Sequence, residues 1–298
     1  MSQSRHANFR HHNRTILLFL LPTVAYLFCL SIFPLLYSLY LAFQEYHATA
    51  NSYSFVGFRN FTDLVQDPDF FTSFWNTVIF TVVTVSIEMV LGLGLALLFS
   101  IDFAGKRLFR TLIIAPMMIT PMVIGLMWRM ILNPDSGILN YFLGFFGMGP
   151  FDFTGDPATA LPAIIGVDIW QWTPFTFLIF LAGLQALPEE VFEAAAVDGA
   201  NRLQIFRHIT LPLLGRAFTV AVLFRGIDAF RSFDLVYGLT YGGPGRDSST
   251  LSFYAFQNAF TYSRFGYSSA MIYIMVIVII VATTLFFRFT EAKEAPAP

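Results

Sequence analysis

The sequence predicts an all-α fold, a polytopic membrane bundle of six transmembrane helices, and three observations predict it. Of 298 residues, 56% are hydrophobic and 12% charged, against about 25% charged in soluble domains, and mean hydropathy is +0.65. A core cannot absorb that excess of apolar side chains without a surface that faces lipid. Six stretches, 15–43, 76–99, 110–132, 162–184, 213–237 and 268–288, are continuously apolar, and a hydrocarbon layer about 30 Å thick takes roughly 20 residues of helix. None of them alternates with the period of two that a barrel strand requires.

Residues 1–14 form a basic cytoplasmic arm holding Arg5, Arg10 and Arg14 with His6, His11 and His12, which suits an interfacial anchor. The first span contains Pro22 and Pro34 and lacks a small-residue cleavage site, so it reads as a span and not as a leader. Residues 44–75 mix aromatics with acids, and 133–161 carry glycines, prolines and Asp135, Asp152 and Asp156; both suit re-entrant or surface helices at headgroup level. Asn76 is placed to cap the second span. Pro116 and Pro121 interrupt the third and predict kinks. Gly92, Gly94, Gly125 and Gly166 permit close helix approach. The transmembrane domain ends at 288, and 289–298, with the polar, proline-rich EAKEAPAP, is expected to be a disordered cytoplasmic tail.

Basic residues are retained on the cytoplasmic side. With the N-terminus inside, the inner segments hold eleven lysines and arginines and the outer ones three, Arg59, Arg246 and Arg264. Both termini are then cytoplasmic.

Several function classes are disfavoured. A net charge of -2 implies no nucleic-acid partner. One cysteine, Cys29, builds no disulfide or metal framework. The phosphate-binding pattern G-x-x-x-x-G-K-[ST] is absent and the chain has only two lysines, Lys106 and Lys293, so it brings no nucleotide-binding loop of that type. No nucleophile elbow and no paired catalytic residues converge. A secondary transporter would need a coupling-ion site and usually repeated halves, and no internal repeat is visible.

Polar groups within spans are expensive and mark pathways or helix pairing. In AFTVAVLFRGIDAFRSFDLVYGLT, Arg225, Asp228, Arg231 and Asp234 recur every three residues with alternating sign. Two readings stand. The row lines a solute route, offering donors and acceptors to hydroxyls, or it forms structural ion pairs, with Arg225 the partner of Asp228. Glu88, in the second span, is a further candidate partner for these arginines. Trp170, Gln171 and Trp172 could stack on and hydrogen-bond a sugar ring, or the tryptophans could anchor at the interface.

Between the fourth and fifth spans lies EAAAVDGANRLQIFRHITLP, residues 193–212. Pro188, Glu189 and Glu190 suit a helix start, and Asp198–Gly199 suits its end, with glycine free to adopt a left-handed angle. Asn201 is a plausible cap for a second helix through LQIFRHI. The result is a helix–turn–helix at the cytoplasmic surface, 188–212, either a docking knob for another protein or an amphipathic linker resting on headgroups.

Glu193, Ala194, Ala195, Asp198–Gly199, Ile209 and Pro212, at this spacing, resemble the signature loop of permease subunits of binding-protein-dependent ABC importers. ALPEE (186–190) and FDLVYGLTYGGPG (233–245) are similar to the carbohydrate, maltose/trehalose-type branch, and the resemblance covers about 15–288. It implies the type I importer permease fold, with 188–212 as a coupling helix and Glu193 among its contacts to a cytoplasmic ATPase. It further implies no cofactor in this chain, with ATP and Mg on that ATPase, and a bacterial inner-membrane location. The implied partners are a second, different permease subunit, two ATPase subunits and an extracytoplasmic solute-binding protein. Some members carry a large extracytoplasmic insertion, and 44–75 has no room for one. The implied solute is a disaccharide such as trehalose or maltose; glycerol phosphate, another polar solute or an ion-coupled secondary transporter are the alternatives.

Overall fold

A computed structural model describes residues 19–47 and 51–294; the basic arm 1–14 and residues 295–298 lie outside it. The chain divides into two compact units, Met1–Gln66 with Ala255–Ile274, and Asp67–Tyr254 with Met275–Pro298.

In the first unit, α1 (Phe19–Ala42) is an apolar helix with no buried residue in its membrane-length window. Its turn widens to π geometry over Phe28–Ile32, just before Pro34, which cannot donate to an ordinary helical bond. A hairpin of β1 (Gln44–His47) and β2 (Ser52–Phe55) follows, antiparallel, with Tyr46 opposite Tyr53. Helix α2 (Arg59–Gln66) comes next, and Asn60 donates from Nδ2 to the carbonyls of Ala42 and Gln44, each at 2.9 Å. The segment that suits re-entrant or surface helices therefore contains a small sheet as well as a helix, the sheet built where aromatic and β-forming residues pair across it.

The second unit is framed by two long helices that start in the same way. In α3 (Pro68–Ser100) the Asp67 carboxylate accepts from the Asp69 backbone N–H, and in α7 (Pro157–Gln185) Asp156 accepts from Ala158. An aspartate cap followed by proline supplies an acceptor for one orphan N–H and removes the need for another. That stronger start overrides the cap expected at Asn76, which lies inside α3 and donates to the carbonyls of Arg246 and Ser249. Helices α3 and α7 pack so closely that a Cβ on Gly92 would sit 2.1 Å from the Thr176 hydroxyl. Gly94 and Gly166 meet nothing comparable.

The third expected span is two helices and not a kinked one. Lys106–Met118, which comprises α4 (Lys106–Ile114) and a 3-10 turn, meets α5 (Pro121–Ile131) at 99°. Pro121 cannot donate backward and Ile119 is extended, so the helix breaks. Residues 133–161 contribute α6 (Ile138–Gly144). The surface pair α8 (Glu189–Val197) and α9 (Arg202–Leu213) leads into α10 (Gly215–Phe230), bent 60° from α9.

The fifth expected span also stops short. Helix α10 ends at Phe230, and α11 (Asp234–Leu239) begins after a turn. The carbonyls freed there are taken up: Thr250 donates its hydroxyl to Ser232 at 2.9 Å and Ser252 to Arg231 at 3.1 Å. After α12 (Leu251–Phe256), the last helix α13 (Phe265–Glu294) runs past 288. Residues 289–294 are thus helical where a disordered tail was expected; glutamate, alanine and lysine are good helix formers. Among the described residues, four helices are long and apolar enough to cross a membrane, or up to six if each bent pair is one span.

Candidate functional site

The surface segment 188–212 is built from two complementary caps. Helix α8 starts after Pro188, with Glu189 and Glu190 in its first turn, where acids favour the positive end. It closes on Gly199 at φ +77°, with Gly199 N–H donating to Ala196 at 3.1 Å and Ala200 N–H to Ala195 at 3.0 Å, the double bond pattern of a glycine C-terminus. Helix α9 opens on a reciprocal cap: Asn201 Oδ1 accepts from Gln204 N–H at 2.9 Å, and Gln204 Oε1 accepts from Asn201 N–H at 2.8 Å. Ala195 turns inward, Ile209 is half-buried, and Glu193, Ala194, Asp198 and Pro212 are exposed. Val197 and Leu203 expose 88% and 73% of their surface, so these two apolar side chains stand furthest outward from the segment.

Helix α10 leads from this segment to a buried ionic cluster. Arg225 is 1% exposed. Its guanidinium grips Glu88 through Nε and Nη2 at 2.7 and 2.8 Å, Asp168 through Nη2 at 2.7 Å, and Asp228 through Nη1 at 2.8 Å. These carboxylates stand on α3, α7 and α10, so one side chain ties three helices. The planar fork with five donors is what allows it. Trp172 lies against the same guanidinium, 5.0 Å from ring centroid to Cζ.

On one side the cluster opens into a cavity of about 360 Å³ whose lining includes Asp168, Trp172, Asp228, Arg231, Ser232 and Asp234. The Asp228 side chain is 46% exposed and Arg231 62%, and they approach to only 3.8 Å. An aromatic side chain, carboxylates and an exposed guanidinium thus share one polar space.

The candidate row separates accordingly. Trp172, Asp228, Arg231 and Asp234 line the cavity; Arg225 and Glu88 are packed behind it. The even three-residue spacing does not make one stripe, because Arg231 and Asp234 lie beyond the end of α10. Gln171 and Trp170 point elsewhere. Gln171 is buried and donates from Nε2 to the Ile119 carbonyl at 3.0 Å, satisfying the break before α5. Trp170 packs edge-on to Trp128 at 5.5 Å and borders an apolar cleft with Leu112 and Ile169. Asp168 was missed from sequence. The signal was available: it is the single carboxylate inside the fourth span, the same kind of intramembrane acid as Glu88. Among the described residues, no group of three or more His, Cys, Asp or Glu could hold a metal ion.

Comparison with known proteins joins these features. A profile of the family described as "Binding-protein-dependent transport system inner membrane component" matches residues 88–294. The trehalose/maltose transport system permease protein MalF of Thermococcus litoralis is 34% identical over 90% of this chain and 90% of its own length. The sulfoquinovosyl glycerol transport system permease protein SmoG of Agrobacterium fabrum is 34% identical over 93% of this chain and 90% of its own. The fold matches a chain in the crystal structure of a bacterial ABC transporter that imports the acidic polysaccharide alginate, with TM-score 0.85 at 20% identity, covering 97% of this chain and 99% of that one. A multi-pass helical bundle with the type I importer permease fold, a matching profile over most of its length and relatives above 30% identity lead to one conclusion: the chain belongs to the binding-protein-dependent transport system inner membrane components, as a permease subunit of an ABC importer for sugars or related polar solutes.

Proposed function

We propose that this permease supplies half of a disaccharide route, with Trp172, Asp228, Arg231 and Asp234 meeting the solute and 188–212 docking a separate ATPase subunit. The observation that carries the proposal is the cavity of about 360 Å³ in which a tryptophan adjoins both donors and acceptors. Sugar C–H faces suit the aromatic ring, and hydroxyls need groups that donate and groups that accept. MalF and SmoG are named for different sugars, so a trehalose- or maltose-like solute is proposed on the match of neutral hydroxyls to this mixed lining and not on names alone.

In this reading ATP and Mg belong to the partner ATPase. A second, different permease completes the pore and an extracytoplasmic binding protein delivers solute. Both termini face the cytoplasm. Closure of two ATPases would move the two docking segments and tilt the spans between inward-open and outward-open states. Trp170 and Gln171 fall outside the route, and Arg225, itself held by Glu88, holds Asp228 from behind.

The test is Asp228→Asn, which keeps the shape and hydrogen bonding but removes the charge. The variant is expected to assemble with its partners and hydrolyse ATP, with uptake of trehalose or maltose cut at least about ten-fold, the loss of one charge-assisted contact. Normal uptake at normal complex yield would overturn the route. Loss of the complex itself would assign Asp228 to structure alone.

A further inference from the structure

We infer that this cavity selects by charge, admitting neutral and cationic polyhydroxylated solutes and rejecting anionic ones. The inference rests on the solute-route reading above and specifies the solute class for that same site.

The charge inventory around the cavity is unbalanced. Asp168, Asp228 and Asp234 border it, and Glu88 stands directly behind on the shared guanidinium. Against these four carboxylates stand two guanidinium groups, Arg225 and Arg231. Two negative charges remain in excess, and one remains even with a proton shared within the buried group. The positive side is also poorly available to a ligand. Arg225 is 1% exposed, with four hydrogen bonds already made to carboxylates, so it has no vacant face for a phosphate or carboxylate. Arg231 is 62% exposed but has Asp228 at 3.8 Å.

The negative side is open. Asp228 keeps 46% of its side chain exposed although Arg225 donates to it at 2.8 Å, and Asp234 is exposed at the start of α11, where its side chain makes no hydrogen bond or ion pair among the described residues. Trp172 also lines this wall, with its ring against the buried Arg225 guanidinium, so it adds no cation that an anion could use. An anion entering here meets one guanidinium and several carboxylates. A hydroxyl group meets acceptors that it can satisfy as a donor.

The magnitude follows from Coulomb's law. One net charge about 10 Å from a solute charge, at the effective dielectric of about 20 that suits protein sites, discriminates by roughly ten-fold. High salt weakens that difference, because the Debye length shrinks to about 3 Å at 1 M.

The experiment uses the assembled importer in nanodiscs without its binding protein, so that selection upstream does not enter. Binding of trehalose, its 6-amino derivative and its 6-phosphate is measured by saturation-transfer NMR and competition. The expected result is that the neutral and cationic sugars bind, and that the phosphate binds at least about ten-fold more weakly. That ratio should narrow several-fold in 0.5 M NaCl and in Asp234→Asn. In Asp247→Asn, which changes an exposed carboxylate outside the cavity lining, the ratio should stay as in the parent. Equal or tighter binding of the phosphate, or a ratio untouched by Asp234→Asn, overturns charge selection while leaving the solute route standing. Binding of none of the three sugars overturns the route itself, and the selection with it.

Discussion

Arg225→Lys keeps the positive charge and removes the fork, so it isolates what the guanidinium geometry contributes. The native side chain makes four hydrogen bonds to three carboxylates at 2.7–2.8 Å. A lysine ammonium has three donors in a tetrahedral array on a shorter head and cannot reach all three acids in one plane. At least one charge-assisted bond is lost, at about 1.5–3 kcal/mol each, and a carboxylate on α3 or α7 is left buried with a poorer partner. Arg225→Met removes the charge as well and leaves Glu88 and Asp168 uncompensated, at about 3–5 kcal/mol. Glu88→Gln should cost less than either, because Arg225 keeps Asp168 and Asp228. The measurement is thermal unfolding of the purified complex in nanodiscs, read alongside complex yield. At roughly 2–4 °C per kcal/mol for a chain of this size, lysine should lower the midpoint by about 5–10 °C, and methionine should lower it further or abolish assembly. A methionine variant that melts within about 2 °C of the parent would refute the idea that this cluster ties α3, α7 and α10 together.

Two further predictions concern the ends of the route. Gly199→Val meets no clash, since nothing lies within 4 Å of its added Cβ, but it forces a β-branched residue to φ +77° at about 1–2 kcal/mol or more. It should therefore reduce transport and binding-protein-stimulated ATP hydrolysis more than Glu193→Ala does; normal coupling in both would remove the docking role of 188–212. For topology, a cysteine probe at Ser249 is unsuitable because that residue is 1% exposed and accepts a hydrogen bond from Ser73. Asp247→Cys is exposed in the same loop and should react with an impermeant thiol reagent added outside intact cells; reaction only from the cytoplasm would invert the orientation drawn from the arginine and lysine bias.

What the sequence disclosed depended on the range of the interaction. The caps of 188–212 are local: Gly199 and Asn201 act within a few residues of themselves, and both appear where their chemistry requires. Helix existence was legible for the same reason, since each apolar run carries its own signal. Helix continuity was not. Whether Pro116 and Pro121 kink or break a span depends on who satisfies the exposed carbonyls, and that group is Gln171, 52 positions away from Ile119. The end of α10 at Phe230 likewise depends on hydroxyls from Thr250 and Ser252. Glu88 was recognised as a partner for an arginine because the cost of an intramembrane acid is a property of one residue. Asp168 carried the same signal but sits in GVDIWQW, where the neighbouring tryptophans drew the argument toward stacking.

The position of the cluster along α10 constrains how the two ends of the molecule can communicate. This helix begins at Gly215, just beyond the bend from α9, and ends at Phe230, where the cavity opens. Its 16 residues span about 24 Å at 1.5 Å each. A straight helix of that length transmits displacement as a rigid rod, whereas the two breaks in helical structure are outside it: the 60° bend behind it and the turn at Arg231–Phe233 ahead. Arg225 pins the rod to α3 and α7 ten residues along its course, while Asp228, one turn further, belongs both to the pin and to the cavity wall. A push on 188–212 therefore has two outcomes in physical terms. It can change the bend at 214–215 and leave the cavity unaltered, or it can move α10 together with the helices that Arg225 holds, carrying Asp228 and Trp172 as a set. Weakening the pin without unfolding the chain, as Arg225→Lys is designed to do, should favour the first outcome. The distinguishing sign is ATP hydrolysis that persists while solute uptake falls.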